Sequence, residues 1–307
     1  MPIVAAAVVS HQPGIMLPDK VRERIPGGDF SLVEGFKTMR QKLKDADVNT
    51  LVIFDTHWFT TSGHVVAGAS SFNGIYTSEE LPDLIKDHKY NWNGCADLAT
   101  KLAEIAKREK VPLLNVTTPS LPVHYPTVNV LHYLLQDGLE DLKVLSISCC
   151  QAARDHNFIQ LGCILKEAID SIPDLRVAYL GSGGMSHEFP ALDDFKKHQS
   201  KDASNVLTPD ARKADENILE LWKQGNHEQV IEGMSTYHKF SPEGFFGHYL
   251  CMYGALGGGK NITNRGYLLS DYENAAGTGQ VHVLSSGSTV HIFKHTNPKK
   301  NKLYMQH

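Results

Sequence analysis

Three histidines stand where an apolar run gives way to turn-forming residues. His57 ends Leu51-Val-Ile-Phe-Asp-Thr-His57, and His11 lies two residues beyond the apolar stretch 3–9. His187 follows the run 176–180 through Gly181-Ser-Gly-Gly-Met-Ser. In open α/β sheets ligands sit outside the carboxyl ends of strands, so imidazoles delivered there stand at the address of a site. The chain carries sixteen histidines, and one taken singly reads as a core residue satisfied by a carbonyl; the repetition is the signal. A fourth group, Glu243, opens the late apolar segment 241–256. Two neutral imidazoles and one carboxylate make a facial set that holds a divalent metal and leaves adjacent positions open, a donor set suited to non-haem Fe(II). His11, His57 and Glu243 are the candidate ligands. A zinc hydrolase uses a similar set to activate water, and spacing alone does not separate the two chemistries.

The elements that must position these groups follow from periodicity. Residues 3–9 and 51–54 read as buried strands, and 31–44, with Ser31 as N-cap, as the helix between them. That is a β–α–β unit with a right-handed crossover and a parallel pair. Residues 65–69 suggest another strand and 72–81 a surface excursion. An amphipathic helix over 95–110, with Leu98, Leu102 and Ile105 on one face, precedes a strand at 111–116. A proline-rich loop, 119–127, carries His124 and Tyr125 into an apolar segment at 128–135. Strands at 143–148 and 176–180 bracket a helix at 157–170. One or two helices over 208–232, a buried helix over 241–256 and a final strand at 277–286 complete the pattern. No repeat, linker or boundary divides the chain. The expected fold is a single α/β domain with a mostly parallel or mixed central sheet flanked by helices, spanning 1–295, and a polar tail at 296–307.

Composition sets further bounds. Hydrophobic residues make up 41%, charged residues 21%, and the net charge is −4, so no basic stripe argues for nucleic acid. No unbroken apolar run reaches membrane-spanning length, and the apolar N-terminus lacks a positive flank, so it reads as a strand and not a signal peptide. Five cysteines without a Cys-x-x-Cys pair suggest reduced thiols in a cytoplasm.

Four strings, Val52-Ile-Phe-Asp-Thr-His-Trp58, Gly74-Ile-Tyr-Thr-Ser-Glu-Glu-Leu-Pro82, Gly181-Ser-Gly-Gly-Met-Ser-His187 and Ala276-Gly-Thr-Gly-Gln280, resemble the class III extradiol ring-cleaving dioxygenases. Within that class they look most like the branch acting on 3,4-dihydroxyphenylacetate, and the likeness covers nearly the whole chain. The resemblance implies Fe(II) held by His11, His57 and Glu243, with Glu232 a fallback because Phe245-Phe-Gly replaces more polar residues. It implies His187 as acid/base group and Tyr125 as a catalytic residue near the substrate, with His124, Tyr125 and His187 touching it. His124 and Pro126 depart from the acid and glycine usual there, which bears on the substrate more than on the reaction class. Asp55 and Thr56 are expected to orient His57. The implied reaction opens a catechol beside its diol with O2 to a muconic semialdehyde, in a cytoplasmic homo-oligomer. Alternatives are a 2-aminophenol 1,6-dioxygenase and a non-catalytic binding protein on the same scaffold.

Overall fold

Side-chain alternation along the central strands sets the architecture of the computed structural model, which describes residues 2–24, 31–259, 262 and 264–286. In β1 (Ile3–Val9) Ala6 and Val8 enter one apolar layer while Ala5, Ala7 and Val9 enter the other. In β2 (Thr50–Thr60) Val52 and Phe54 oppose Leu51 and Ile53 in the same way. A strand apolar on both faces must be covered on both, which is the condition of a parallel sheet between helix layers.

The chain continues through β3 (His64–Ala67), β4 (Ser71–Tyr76), β5 (His88–Gly94), β6 (Leu113–Val116), β7 (Lys143–Cys150) and β8 (Val177–Ser182). It closes with β9 (Arg265–Leu268), β10 (Glu273–Ala275), β11 (Thr278–Gln280) and β12 (Val283–Ser286). The main sheet has the order β4-β5-β7-β2-β8-β1-β12-β9, with β3 and β6 paired beside β7. β5, β7, β2, β8 and β1 run parallel, and the outer pairs β4–β5, β1–β12 and β12–β9 are antiparallel, so the sheet is mixed. Helices Ala96–Arg108, Asp155–Asp170, Pro209–Gln224 and Gly247–Ala255 cover one face. Helices Ser31–Asp45 and Tyr125–Leu134 cover the other. Full burial of a ring such as Phe36, Phe54 or Phe158 contributes roughly 1.5–3 kcal/mol.

Register then gathers the site. Ser182 of β8 pairs with Val9 on one side and Asp55 on the other. The chain therefore leaves β1, β2 and β8 along one line, and His11, Thr56, His57 and the loop to His187 all start from it.

Several elements differ from the sequence expectation. Residues 72–76 of the expected surface excursion form half of a hairpin, since β4 pairs with β5, a strand absent from the periodicity reading, and 77–81 lie in the connection. β2 runs on past His57 to Thr60, but its pairing with β7 shifts between Asp55 and Phe59, a bulge that frees Thr56, His57 and Trp58. Tyr125 is the first residue of a helix and not part of a loop, because Pro126 at its start supplies a helical φ where no N–H is needed. The strand expected over 277–286 divides into β11 and β12, β11 pairing with β10 in a separate two-stranded sheet. The late helix begins at Gly247, after a tight turn at Glu243–Phe246. Residues 287–307, which include His291 and His295 and the tail at 296–307 with His307, lie outside the described residues. Among the described residues no helix is long and apolar enough to cross a membrane.

Candidate metal centre

His11 is fixed from both ends. Its carbonyl accepts from Asn129 Nδ2 at 2.7 Å, and its Nδ1 lies 3.0 Å from Ser182 Oγ. That hydroxyl spends its proton on the Pro126 carbonyl at 3.1 Å, so it accepts from His11 Nδ1–H. Nε2 of His11 is thereby left with its lone pair facing the cavity, as a metal ligand requires.

His57 sits on the β2 bulge. Asp55 shapes that bulge, its Oδ1 accepting from the backbone N–H groups of His57 and Trp58, both at 3.0 Å. Asp55 Oδ2 accepts from the Thr127 backbone N–H at 3.1 Å and hydroxyl at 2.7 Å. Asp55 thus sets the backbone and does not touch the imidazole, and Thr56 serves a different group; both differ from the expected role of orienting the ring. At Nδ1 the ring faces Glu80, whose Oε2 is 3.4 Å away. Nothing in residue type or periodicity marked Glu80; the only signal was its place in the string 74–82.

Glu243 is 5% exposed and stands on a turn in which Gly244, Phe245 and Phe246 all have φ between 55° and 59°. Glycine is required at 244: besides the positive φ, a Cβ there would lie 2.6 Å from Thr56 Cγ2. The Thr56 hydroxyl donates to Glu243 Oε1 at 2.7 Å, and the Gly184 backbone N–H donates to Oε2.

Three donors meet at one point. Glu243 Oε1 is 2.9 Å from His11 Nε2 and 3.1 Å from His57 Nε2, and one donor atom from each residue lies within 4.8 Å of the others. Donors about 2.1 Å from an ion and at right angles sit about 3 Å apart, so the spacing fits adjacent corners of one coordination sphere. Burial by itself lowers the His57 imidazole, yet hydrogen bonds to Glu243 and Glu80, with the charges of Glu243 and Asp55, outweigh it and push it up to about 10. Burial pushes the Glu243 carboxyl up, but His11 and His57 outweigh it and hold it well below the usual range. The carboxylates of Glu243 and Glu80 set against His57 give the meeting point a field that favours positive charge. Donor set, spacing and field together fit a divalent cation.

The cluster opens into a cavity of about 760 Å³ that His187 and Tyr125 also line. His187 is half-buried, its backbone N–H donates to the Phe240 carbonyl at 3.2 Å, and its ring meets Phe189 edge-on with centroids 4.7 Å apart. The Tyr125 hydroxyl is 2.8 Å from His57 Nε2. Burial, then the negative field of Glu243 and Glu80, pushes its phenol far above the usual range, so it remains a hydrogen-bond donor. His124 is not brought to this cavity. It stacks on Trp58, with centroids 6.1 Å apart, and lines a separate small cavity of about 10 Å³. Glu232 is exposed at the end of the short helix His227–Glu232, away from the converging donors. His248 is fully buried behind the site.

Comparison with known proteins agrees with the geometry. The chain is 29% identical over 265 residues to the 3,4-dihydroxyphenylacetate 2,3-dioxygenase of Escherichia coli, covering 84% of this chain and 91% of that one. It is 21% identical over 245 residues to the 2-aminophenol 1,6-dioxygenase beta subunit of a Pseudomonas species, covering 75% and 77%. Its fold is similar to the crystal structure of an uncharacterized Escherichia coli K12 protein, with a TM-score of 0.63 and 17% identity over 92% of this chain and 99% of that one. Residues 5–279 match the family of the catalytic LigB subunit of aromatic ring-opening dioxygenase, and with most of its length and its converging His, His and Glu inside that match the chain belongs to this family of extradiol ring-cleaving dioxygenases.

Proposed function

We propose that this enzyme uses Fe(II) to open a catechol of the 3,4-dihydroxyphenylacetate type beside its diol, both atoms of O2 ending in a muconic semialdehyde. The observation that carries this reading is the meeting of His11, His57 and Glu243 at one buried point in the wall of a cavity shared with His187 and Tyr125. Nε2 of each histidine and the Glu243 carboxylate would hold the iron, which when bound acidifies a chelating diol and brings it together with dioxygen. His187 takes a proton from the substrate hydroxyl at an imidazole nitrogen and returns it to the oxygen freed as the O–O bond breaks, an oxygen that the product regains. The Tyr125 hydroxyl, beside His57, keeps its proton and donates a hydrogen bond to an oxygen of the substrate. Leu81, Leu84, Phe189 and Phe195 give the cavity apolar wall against which an aromatic ring packs.

A 2-aminophenol is the second reading, supported by the 21% identical relative, because an ortho amino group chelates a cation much as a hydroxyl does. A cytoplasmic homo-oligomer belongs to the proposal: the five free cysteines fit a reducing compartment, and the association is what the family resemblance implies. The test is anaerobic loading with Fe(II), metal analysis, and exposure of the loaded protein in air to a panel of catechols and aminophenols. One iron per chain, oxygen uptake and a yellow ring-opened product with the catechol support the reading. Tight zinc with no oxygen uptake on any member of the panel sinks it.

A further inference from the structure

Behind the loop that carries His187 lies a carboxylate with no contact to the converging donors. Asp215, on the helix Pro209–Gln224, is 0% exposed. Its Oδ1 accepts from the Ser186 backbone N–H at 3.1 Å and from the Tyr237 hydroxyl at 2.8 Å. Its Oδ2 accepts from the Ser186 hydroxyl at 2.8 Å and the Tyr272 hydroxyl at 2.6 Å. The remaining polar group of Ser186, its carbonyl, accepts from the Gly279 backbone N–H at 3.0 Å. Gly279 permits this approach, since a Cβ there would fall 2.3 Å from Asp215 Oδ2 and 2.5 Å from the Tyr272 hydroxyl.

All three polar groups of Ser186 are therefore fixed, and the next residue is His187, whose own backbone N–H is tied to Phe240. Burying a carboxylate is costly, and well-packed apolar side chains of similar volume are often as stable or more so. What the carboxylate supplies that they do not is a set of directional bonds converging on one peptide. A displacement of about 1 Å at a reacting group costs on the order of a hundredfold in rate.

We propose that Asp215 is a positioning residue for His187: by holding Ser186 it sets where the imidazole stands in the cavity. The inference rests on the reading of His187 as the acid/base group. The test compares Asp215→Asn with the wild-type chain, each alone and combined with His187→Phe. In the metal-free protein the His187 ring resonances, assigned by their loss in His187→Phe, shift in Asp215→Asn. In the iron-loaded enzyme kcat falls about 10–100-fold while KM changes less than about twofold, and Asp215→Asn costs no further activity in the His187→Phe background. Unshifted ring resonances, or an equal loss in both backgrounds, overturn the proposal. Should Asp215→Asn fail to fold, Tyr272→Phe and Tyr237→Phe each remove one donor and carry the same test, with losses of about 3–10-fold. Full turnover by His187→Phe alone refutes the acid/base reading, while the ring resonances still decide whether Asp215 positions the ring.

Discussion

Glu80 Oε2 lies 3.4 Å from Nδ1 of His57, so a carboxylate half in solvent backs the ring of an otherwise buried centre. Glu80 comes from the connection between β4 and β5, and its hydrogen bond to His57 holds it below the usual carboxylate range. A carboxylate behind a ligating imidazole fixes the tautomer and raises its basicity, and losing such a partner costs about 10–100-fold in metal affinity. The long contact and the exposure of Glu80 put this case at the low end. Glu80→Gln is expected to weaken Fe(II) binding about tenfold, read by anaerobic competition with a chelator; an unchanged constant would remove Glu80 from the site.

The converging donors and the cavity histidine separate by what they hold. His57 contributes one of three donor atoms, and without it only His11 and Glu243 remain. His57→Ala is expected to purify without iron and not to retain it on reconstitution. His187 lines the cavity outside that set. His187→Phe is expected to bind iron at the wild-type level while ring opening slows about 10²–10³-fold, the usual worth of a positioned acid/base group. Metal analysis and single-turnover absorbance on the same samples check both; iron loss in His187→Phe would contradict the division.

What the sequence revealed and what it hid have physical reasons. His11 and His57 were legible because a continuous apolar run, buried on both faces, ends visibly, and parallel strands must deliver their ends to one edge of the sheet. β5 was not, because His88-Lys-Tyr-Asn-Trp-Asn-Gly94 puts polar residues at most positions and pairs at the sheet's margin. Glu80 was hidden because a carboxylate in a polar connection is ordinary until the hairpin folds it over His57. His124 misled for the converse reason: a histidine beside Tyr125 in sequence is turned by the helix start onto Trp58. The turn after Glu243 was unreadable, since nothing about two phenylalanines announces positive φ.

That turn has a testable cost. Phe245 has φ 58° and ψ 22°, and the residue is 43% exposed. A residue with a Cβ pays roughly 1–2 kcal/mol in this region, whereas glycine does not. Truncation to alanine removes the ring but keeps the strain; truncation to glycine removes both. Phe245→Gly is therefore expected to be about 1 kcal/mol more stable than Phe245→Ala, the reverse of their order in a helix or strand. Denaturant unfolding of the two metal-free variants measures it, and the ordinary order, alanine above glycine, would show that the turn is not held left-handed in solution.

Asp215 gives stability a pH dependence of definite sign. Burial raises its carboxyl, the hydrogen bonds from Tyr272, Ser186 and Tyr237 oppose this, and the balance leaves it at about 6, against 3.8 for the free group. Tyr237 and Tyr272, the titratable groups against it, are themselves pushed up by burial and stay neutral across this range. Between pH 4 and 6 the folded chain then binds a proton that the unfolded chain has released. The contribution is fully present below about pH 4 and is lost as pH rises through about 6. Two units at about 1.4 kcal/mol each make the change about 3 kcal/mol. Asp215→Asn removes the titration and leaves every other group in place. The stability difference, wild type minus Asp215→Asn in metal-free protein, is expected to be larger at pH 4 than at pH 7 by that amount. Urea unfolding at the two pH values measures it, and a difference independent of pH would mean that Asp215 is ionised throughout.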